Sequence, residues 1–158
     1  MNCKDIGIGD FAVGRNSGEL RTYALGSCVA LVVWDAQEKV GGLVHVALPD
    51  SVINPQKARE QPGYFVDTGL DSLFAALKRR GAQQYSWWVK LVGGAAMFEV
   101  TESFDIGRRN TLAVKKYLSA KGVRLNAEDT GGSISRTVTL TLSSGELQIS
   151  NSTGTWHL

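Results

Sequence analysis

The chain has 158 residues, 43% of them hydrophobic and 20% charged, a balance that fits one globular domain with a core large enough to need no disulfide or metal. Its formal net charge is +2, and its Lys and Arg residues are scattered, so the composition points to neither a nucleic acid nor an acidic membrane surface as partner. No stretch approaches the roughly 20 apolar residues of a membrane helix. The opening residues MNCKDIGIGDF lack the apolar run and small-residue cleavage site of an export signal. The expectation is therefore a cytoplasmic protein without membrane insertion, whose two cysteines, Cys3 and Cys28, remain thiols.

Residues 1–18, Gly-rich around Ile6, Ile8, Phe11 and Val13, read as an edge strand and loop. Leu20 to Asp35 is the first strong element. Its run Val29 to Trp34 is short, β-branched and continuously apolar, as a strand buried on both faces should be. Asp35 to Lys39 predicts a hairpin loop, and Gly42 to Leu48 returns antiparallel until Pro49 stops it. Residues 49–62 hold all three prolines and read as a surface loop. Val66, Leu70, Leu73, Phe74 and Leu77 form one apolar stripe and predict a helix over about 64–80, ended by Gly81. Tyr85 to Val92 predicts a strand ending at Gly93-Gly94. Asn110 is placed to cap a second helix over about 111–121, closed by Gly122. Val123 to Ala127, Ile134 to Leu142 and Glu146 to Ile149 predict further strands, and 151–158 reads as a frayed, flexible tail. The expectation is a single α+β domain over 1–158: a layered, sandwich-like arrangement of mixed and antiparallel sheet flanked by two main helices.

Chemistry has few places to reside. Of two histidines, His157 lies in the polar tail, whereas His45 sits within an apolar strand. Cys3, Cys28, His45 and His157 are the only soft or imidazole ligands, and none has zinc-site spacing, so no metal or other cofactor is expected. No GxSxG, dinucleotide or phosphate-loop fingerprint occurs. A cysteine beside an apolar strand is ordinarily a small buried hydrophobe, and a strand histidine is ordinarily structural. Two features argue otherwise. Gly26 and Ser27 interrupt the strand-like run just at Cys28, which lets the backbone turn, expose the sulfur and free N–H groups near Gly26 and Ser27 for an oxyanion. The hairpin also brings Cys28 and His45 onto neighbouring segments, where an imidazole can take the thiol proton.

Five segments, taken together, give a resemblance. Thr22-Tyr23-Ala24-Leu25-Gly26-Ser27-Cys28-Val29-Ala30 resembles the GLGSCV-type nucleophile motif of the chemoreceptor glutamine deamidases (CheD). Gly42 to Pro49 is similar to that family's G-x-x-H-x-x-L-P. Lys90 to Phe98 is similar to its K-x-x-G-G-A-x-M-F, Ile106 to Asn110 to its I-G-x-R-N, and Asp129 to Arg136 to its D-x-G-G-x-x-x-R. The order is kept over about residues 20–150. Ala24 departs from the family's usual Gly, in the turn that should present the nucleophile.

The resemblance implies a Cys-His-Thr set at Cys28, His45 and Thr22, and hydrolysis of receptor glutamine side chains to glutamate and ammonia through a cysteine thioester. It implies methyl-accepting chemotaxis receptors as substrates and a CheC-type phosphatase as a further partner. Without the resemblance, Thr22 reads as an ordinary strand residue. A non-catalytic module that binds receptors or the phosphatase, and a deamidase of another protein such as a GTPase, are the alternatives. Gly93, Gly94 and Ala95 are candidates for a substrate groove, because small residues admit a helix backbone. Arg109, Asn110 and Arg136 read as structural hydrogen-bonding residues.

Overall fold

The computed structural model describes residues 2–97 and 105–158. Phe98, the last residue of the K-x-x-G-G-A-x-M-F segment, lies outside the described residues. The described chain forms ten strands and three α-helices: β1 Cys3–Asp5, β2 Phe11–Arg15, β3 Glu19–Leu25, β4 Val29–Asp35, β5 Val40–Val46, α1 Pro55–Glu60, α2 Val66–Arg79, β6 Trp87–Gly93, α3 Ile106–Lys121, β7 Ala127–Thr130, β8 Arg136–Thr141, β9 Leu147–Asn151 and β10 Gly154–His157. One sheet has the order β1-β3-β8-β9-β10 and the other β2-β5-β4-β6-β7. β1 runs parallel to β3 and β7 parallel to β6; every other pairing is antiparallel.

Three layers result, and alternation along β4 shows why. Val29, Leu31 and Val33 face α2 and α3, joining Leu70, Leu73, Leu77, Val114 and Leu118. Ala30 and Val32 face the other sheet, meeting Leu20, Val138, Leu140 and Ile149. A strand between two apolar layers has no polar face, which explains the unbroken run read from the sequence. The hairpin behind it is closed by Asp35. This buried carboxylate accepts from the backbone N–H groups of Gln37, Glu38 and Gln83. Burial alone raises its pKa, but those donors outweigh burial and hold it below the ordinary carboxylate value.

Several expected boundaries move. The 49–62 loop contains α1, started by Pro55 at its first turn and capped by Asn54, whose side chain accepts from Lys57 N–H. α3 begins at Ile106, capped by Asp105, so Asn110 lies inside the helix rather than capping it. The strand expected at Val123–Ala127 forms later, at Ala127–Thr130, because Val123 packs back into the helical layer.

The tail expected at 151–158 is not frayed. β10 pairs with β9, and the Trp156 indole N–H donates to Asp129 at 2.6 Å. Polar composition alone hid a strand whose stabilising partners lie elsewhere in the chain. No helix among the described residues is long and apolar enough to cross a membrane.

Candidate active site

Alternation on β5 sends Val44 and Val46 toward the helices and His45 toward the other sheet, together with Leu43. Leu20 and Thr22 of β3 point inward from the opposite side, both buried. Thr22 and His45 therefore meet across the two sheets, with 2.6 Å between Oγ1 and Nδ1.

The protons at this contact can be assigned. A threonine hydroxyl has one hydrogen, and Thr22 donates it to the Ile6 carbonyl, at 2.7 Å, because a carbonyl can only accept. Thr22 Oγ1 is thus an acceptor toward the ring, and Nδ1 carries the proton of the neutral imidazole. Nε2 keeps its lone pair. It is buried and has no hydrogen-bond partner among the described residues. Burial pushes the His45 pKa down to about 4, opposed by the nearby charge of Asp10. At neutral pH the ring is uncharged, with its basic nitrogen unoccupied.

Residues 6–10 wrap this histidine. Besides the Ile6 carbonyl, Gly9 N–H donates to the His45 carbonyl at 2.7 Å, and His45 N–H donates to the Asp10 carbonyl at 3.0 Å. Nothing in the sequence pattern marked Ile6 or Asp10 for this position.

Cys28 lies one residue before β4. Val29 pairs with Val46 and Ala30 with His45, so His45 is a diagonal rather than a direct neighbour of Cys28. Cys28 shares the parity of Ala30 and packs on the inter-sheet cluster, on the face His45 also uses. Diagonal cross-strand side chains stand about 7 Å apart at Cβ, within the span of a thiol and an imidazole. Burial raises the thiol pKa above its ordinary value. A neutral thiol and a neutral imidazole are therefore the resting forms, and the thiol needs a base before it can attack.

The turn before Cys28 is built by a bulge. The β3–β8 register shifts between Thr22 and Leu25, and Ala24 adopts φ 53°. Two successive residues, Tyr23 and Ala24, face outward, and Leu25 returns to the core. Although Ala replaces the family's usual Gly, the turn keeps the left-handed conformation that suits Gly, and Ala bears the strain. Ala24→Gly is expected to stabilise the fold by up to about 1 kcal/mol, since relief of left-handed strain exceeds the added freedom of the unfolded chain. Urea denaturation measures it.

Three consecutive carbonyls of the turn are held from outside. Gly26 accepts from Ala95 N–H at 2.8 Å, Ser27 from Asn110 Nδ2 at 3.0 Å and Cys28 from Gly94 N–H at 2.9 Å. The N–H groups of Ser27 and Cys28 make no hydrogen bond among the described residues.

Gly93, Gly94 and Ala95 do not line an open groove; they are buried. A Cβ on Gly93 would lie 2.4 Å from the Cys28 carbonyl, and one on Gly94 2.4 Å from Thr111 Oγ1. A helix does approach these small residues, and it is the chain's own α3. Arg136 holds the same region: it donates to Asp129 Oδ1 and to the Gly131 carbonyl, while Gly131 N–H donates to the Gly93 carbonyl. Arg109 lies exposed on α3. His157 is remote in role, pairing with Glu146 at 2.8 Å on the surface.

Thr22→Ser keeps the hydroxyl that joins Ile6 to His45 and is expected to retain most activity. Thr22→Val removes it, frees the ring tautomer and is expected to lower kcat about 10- to 100-fold, as loss of an orienting partner does. A kcat comparison of the two variants checks this.

The family model described as CheD chemotactic sensory transduction matches residues 47–151. The chain is similar to the probable chemoreceptor glutamine deamidase CheD 1 of Syntrophus aciditrophicus, 43% identical over 150 residues and 94% of each chain. It is similar as well to the chemoreceptor glutamine deamidase CheD of Thermotoga maritima, 44% identical over 92% of this chain and 90% of the relative. The probable chemoreceptor glutamine deamidase CheD of Pyrococcus abyssi is 43% identical over 91% of this chain and 88% of its own. These alignments extend well beyond the 47–151 match, which begins after Thr22, Cys28 and His45.

Proposed function

The chain belongs to the CheD family, and from that premise we propose that it deamidates glutamines of chemotaxis receptors, with Cys28 as nucleophile and His45 as base. The observation that carries this reading is a buried, neutral His45 whose Nδ1 is fixed by Thr22 and whose Nε2 has no partner among the described residues, one diagonal step from Cys28.

His45 Nε2 takes the thiol proton as the sulfur attacks the glutamine carboxamide carbon. The C–S bond forms, and the carbonyl oxygen becomes an oxyanion facing the N–H groups of Ser27 and Cys28, which are unpaired among the described residues. Imidazolium then protonates the departing nitrogen, the C–N bond breaks, and ammonia leaves a thioester. Water, losing its proton to His45, attacks that thioester and releases glutamate with the thiol restored. Thr22 brings no negative charge, so its contribution is orientation rather than charge stabilisation of imidazolium.

A receptor's cytoplasmic helical bundle gains a negative charge at each converted glutamine, which biases its signalling equilibrium. In this reading the enzyme works in the cytoplasm, where that bundle lies. A CheC-type phosphatase belongs to the same reading as a partner that occupies the deamidase surface. The test is incubation with a receptor fragment, following ammonia release and the mass change from amide to acid. Equal ammonia release from the Cys28→Ala variant overturns the mechanism. Binding of the fragment without ammonia release leaves a docking module instead.

A further inference from the structure

The first turn of α3 rests directly on the nucleophile turn. Gly107 and Asn110, three residues apart, share one helix face. At Gly107 a Cβ would lie 2.6 Å from both the Ala95 oxygen and the Gly94 backbone, so only Gly permits the contact. One turn further, Asn110 is fully buried. Its Nδ2 donates to the Ser27 carbonyl and to the Ala47 carbonyl, each at 3.0 Å. Two carbonyl acceptors use both amide hydrogens and fix which end of the side chain is nitrogen. Its Oδ1 stays buried with no partner among the described residues. An orphaned acceptor is a cost that a residue retained only to fill space need not carry.

The geometry of a peptide links these bonds to chemistry. In a trans peptide the C=O and the next N–H point in opposite directions from one rigid plane. The Ser27 carbonyl and the Cys28 N–H are two ends of the same plane. We propose that Asn110 is the positioning residue of the oxyanion hole: holding the Ser27 carbonyl aims the Cys28 N–H at the oxygen of the tetrahedral intermediate. The second bond, to Ala47, ties that plane to the strand carrying His45, two residues away. Donor and base thus keep one fixed relation through a single side chain. This deepens the deamidase reading and rests on Cys28 accepting an acyl group.

Two reactions at Cys28 separate positioning from general support. Alkylation by iodoacetamide forms C–S as C–I breaks and develops no oxyanion. Acetylation by p-nitrophenyl acetate passes through one before nitrophenolate leaves. Both are followed by intact mass in a Cys3→Ser background, where Cys28 is the sole thiol. Asn110→Ala is expected to slow acetylation about 100-fold while alkylation stays within about threefold of wild type, the size expected for one misdirected oxyanion donor. Asn110→Ser, with one hydrogen to donate, is expected to fall between. Equal slowing of both reactions marks a merely structural residue and overturns the proposal, as does no change in either. If Asn110→Ala does not fold by circular dichroism, the ratio of the two rates in Asn110→Ser decides, and a wild-type ratio overturns it. Failure of the deamidase reading is distinct: wild type then acetylates normally but releases no ammonia from a receptor fragment.

Discussion

Cys28→Ala is expected to lower ammonia release from a receptor fragment by about 10⁴-fold or more, the scale seen when a nucleophile that forms a covalent intermediate is removed. The structure sets a second expectation for the same variant, that it folds. Cys28 is half-buried at the edge of the inter-sheet cluster, and its Ala replacement keeps the backbone bonds of the turn, which are made by carbonyls and not by sulfur. The stability cost should be about 1 kcal/mol or less. Loss of activity with an intact melting transition therefore isolates chemistry from folding. Thiol labelling gives an independent check. Burial raises the Cys28 pKa and lowers that of His45, so the alkylation rate should climb with pH through a midpoint above the ordinary thiol value of about 8.5. A fast plateau already present near pH 6 would mean a preformed thiolate–imidazolium pair, and the neutral resting pair described above would be wrong.

Much of this site was legible in the sequence. The break at Gly26-Ser27 and the Asp35–Lys39 hairpin brought Cys28 and His45 to adjacent strands, and the structure has them there as diagonal neighbours. Thr22 was legible only through the family motif, because its partner lies on the other sheet and strand alternation does not reveal cross-sheet pairs. Asn110 was misread as a cap for a related reason. Asn is a good helix-capping residue, and only the tertiary approach of α3 to Ser27 and Ala47 shows that its amide is used inward. Gly93-Gly94-Ala95 reads from the sequence as a substrate groove, whereas these residues are buried and the helix packed against them is α3; small residues alone do not tell whose helix approaches. The Ile6 carbonyl that orders the Thr22 proton is a backbone group, and no residue identity encodes it.

His45→Ala tests the base by two routes with opposite signs of risk. On activity, removing Nε2 leaves the raised-pKa thiol with no group to take its proton, and a loss of about 10³-fold or more in kcat is expected, with KM little changed. On stability, the wild-type ring is neutral in the fold down to about pH 4, whereas in the unfolded chain it binds a proton below about 6.5. Between those values the unfolded state holds more protons, so stability rises with pH and falls as pH is lowered through the window. The fall attributable to His45 approaches about 3 kcal/mol by pH 4. His45→Ala has no such group, and its stability should decline less steeply between pH 6.5 and 4 even though the cavity makes it less stable at pH 7. Urea denaturation of both proteins across that range measures the slopes. Parallel slopes would show that the imidazole is not buried neutral in the fold, and the free Nε2 would then lose its standing as the base poised for Cys28.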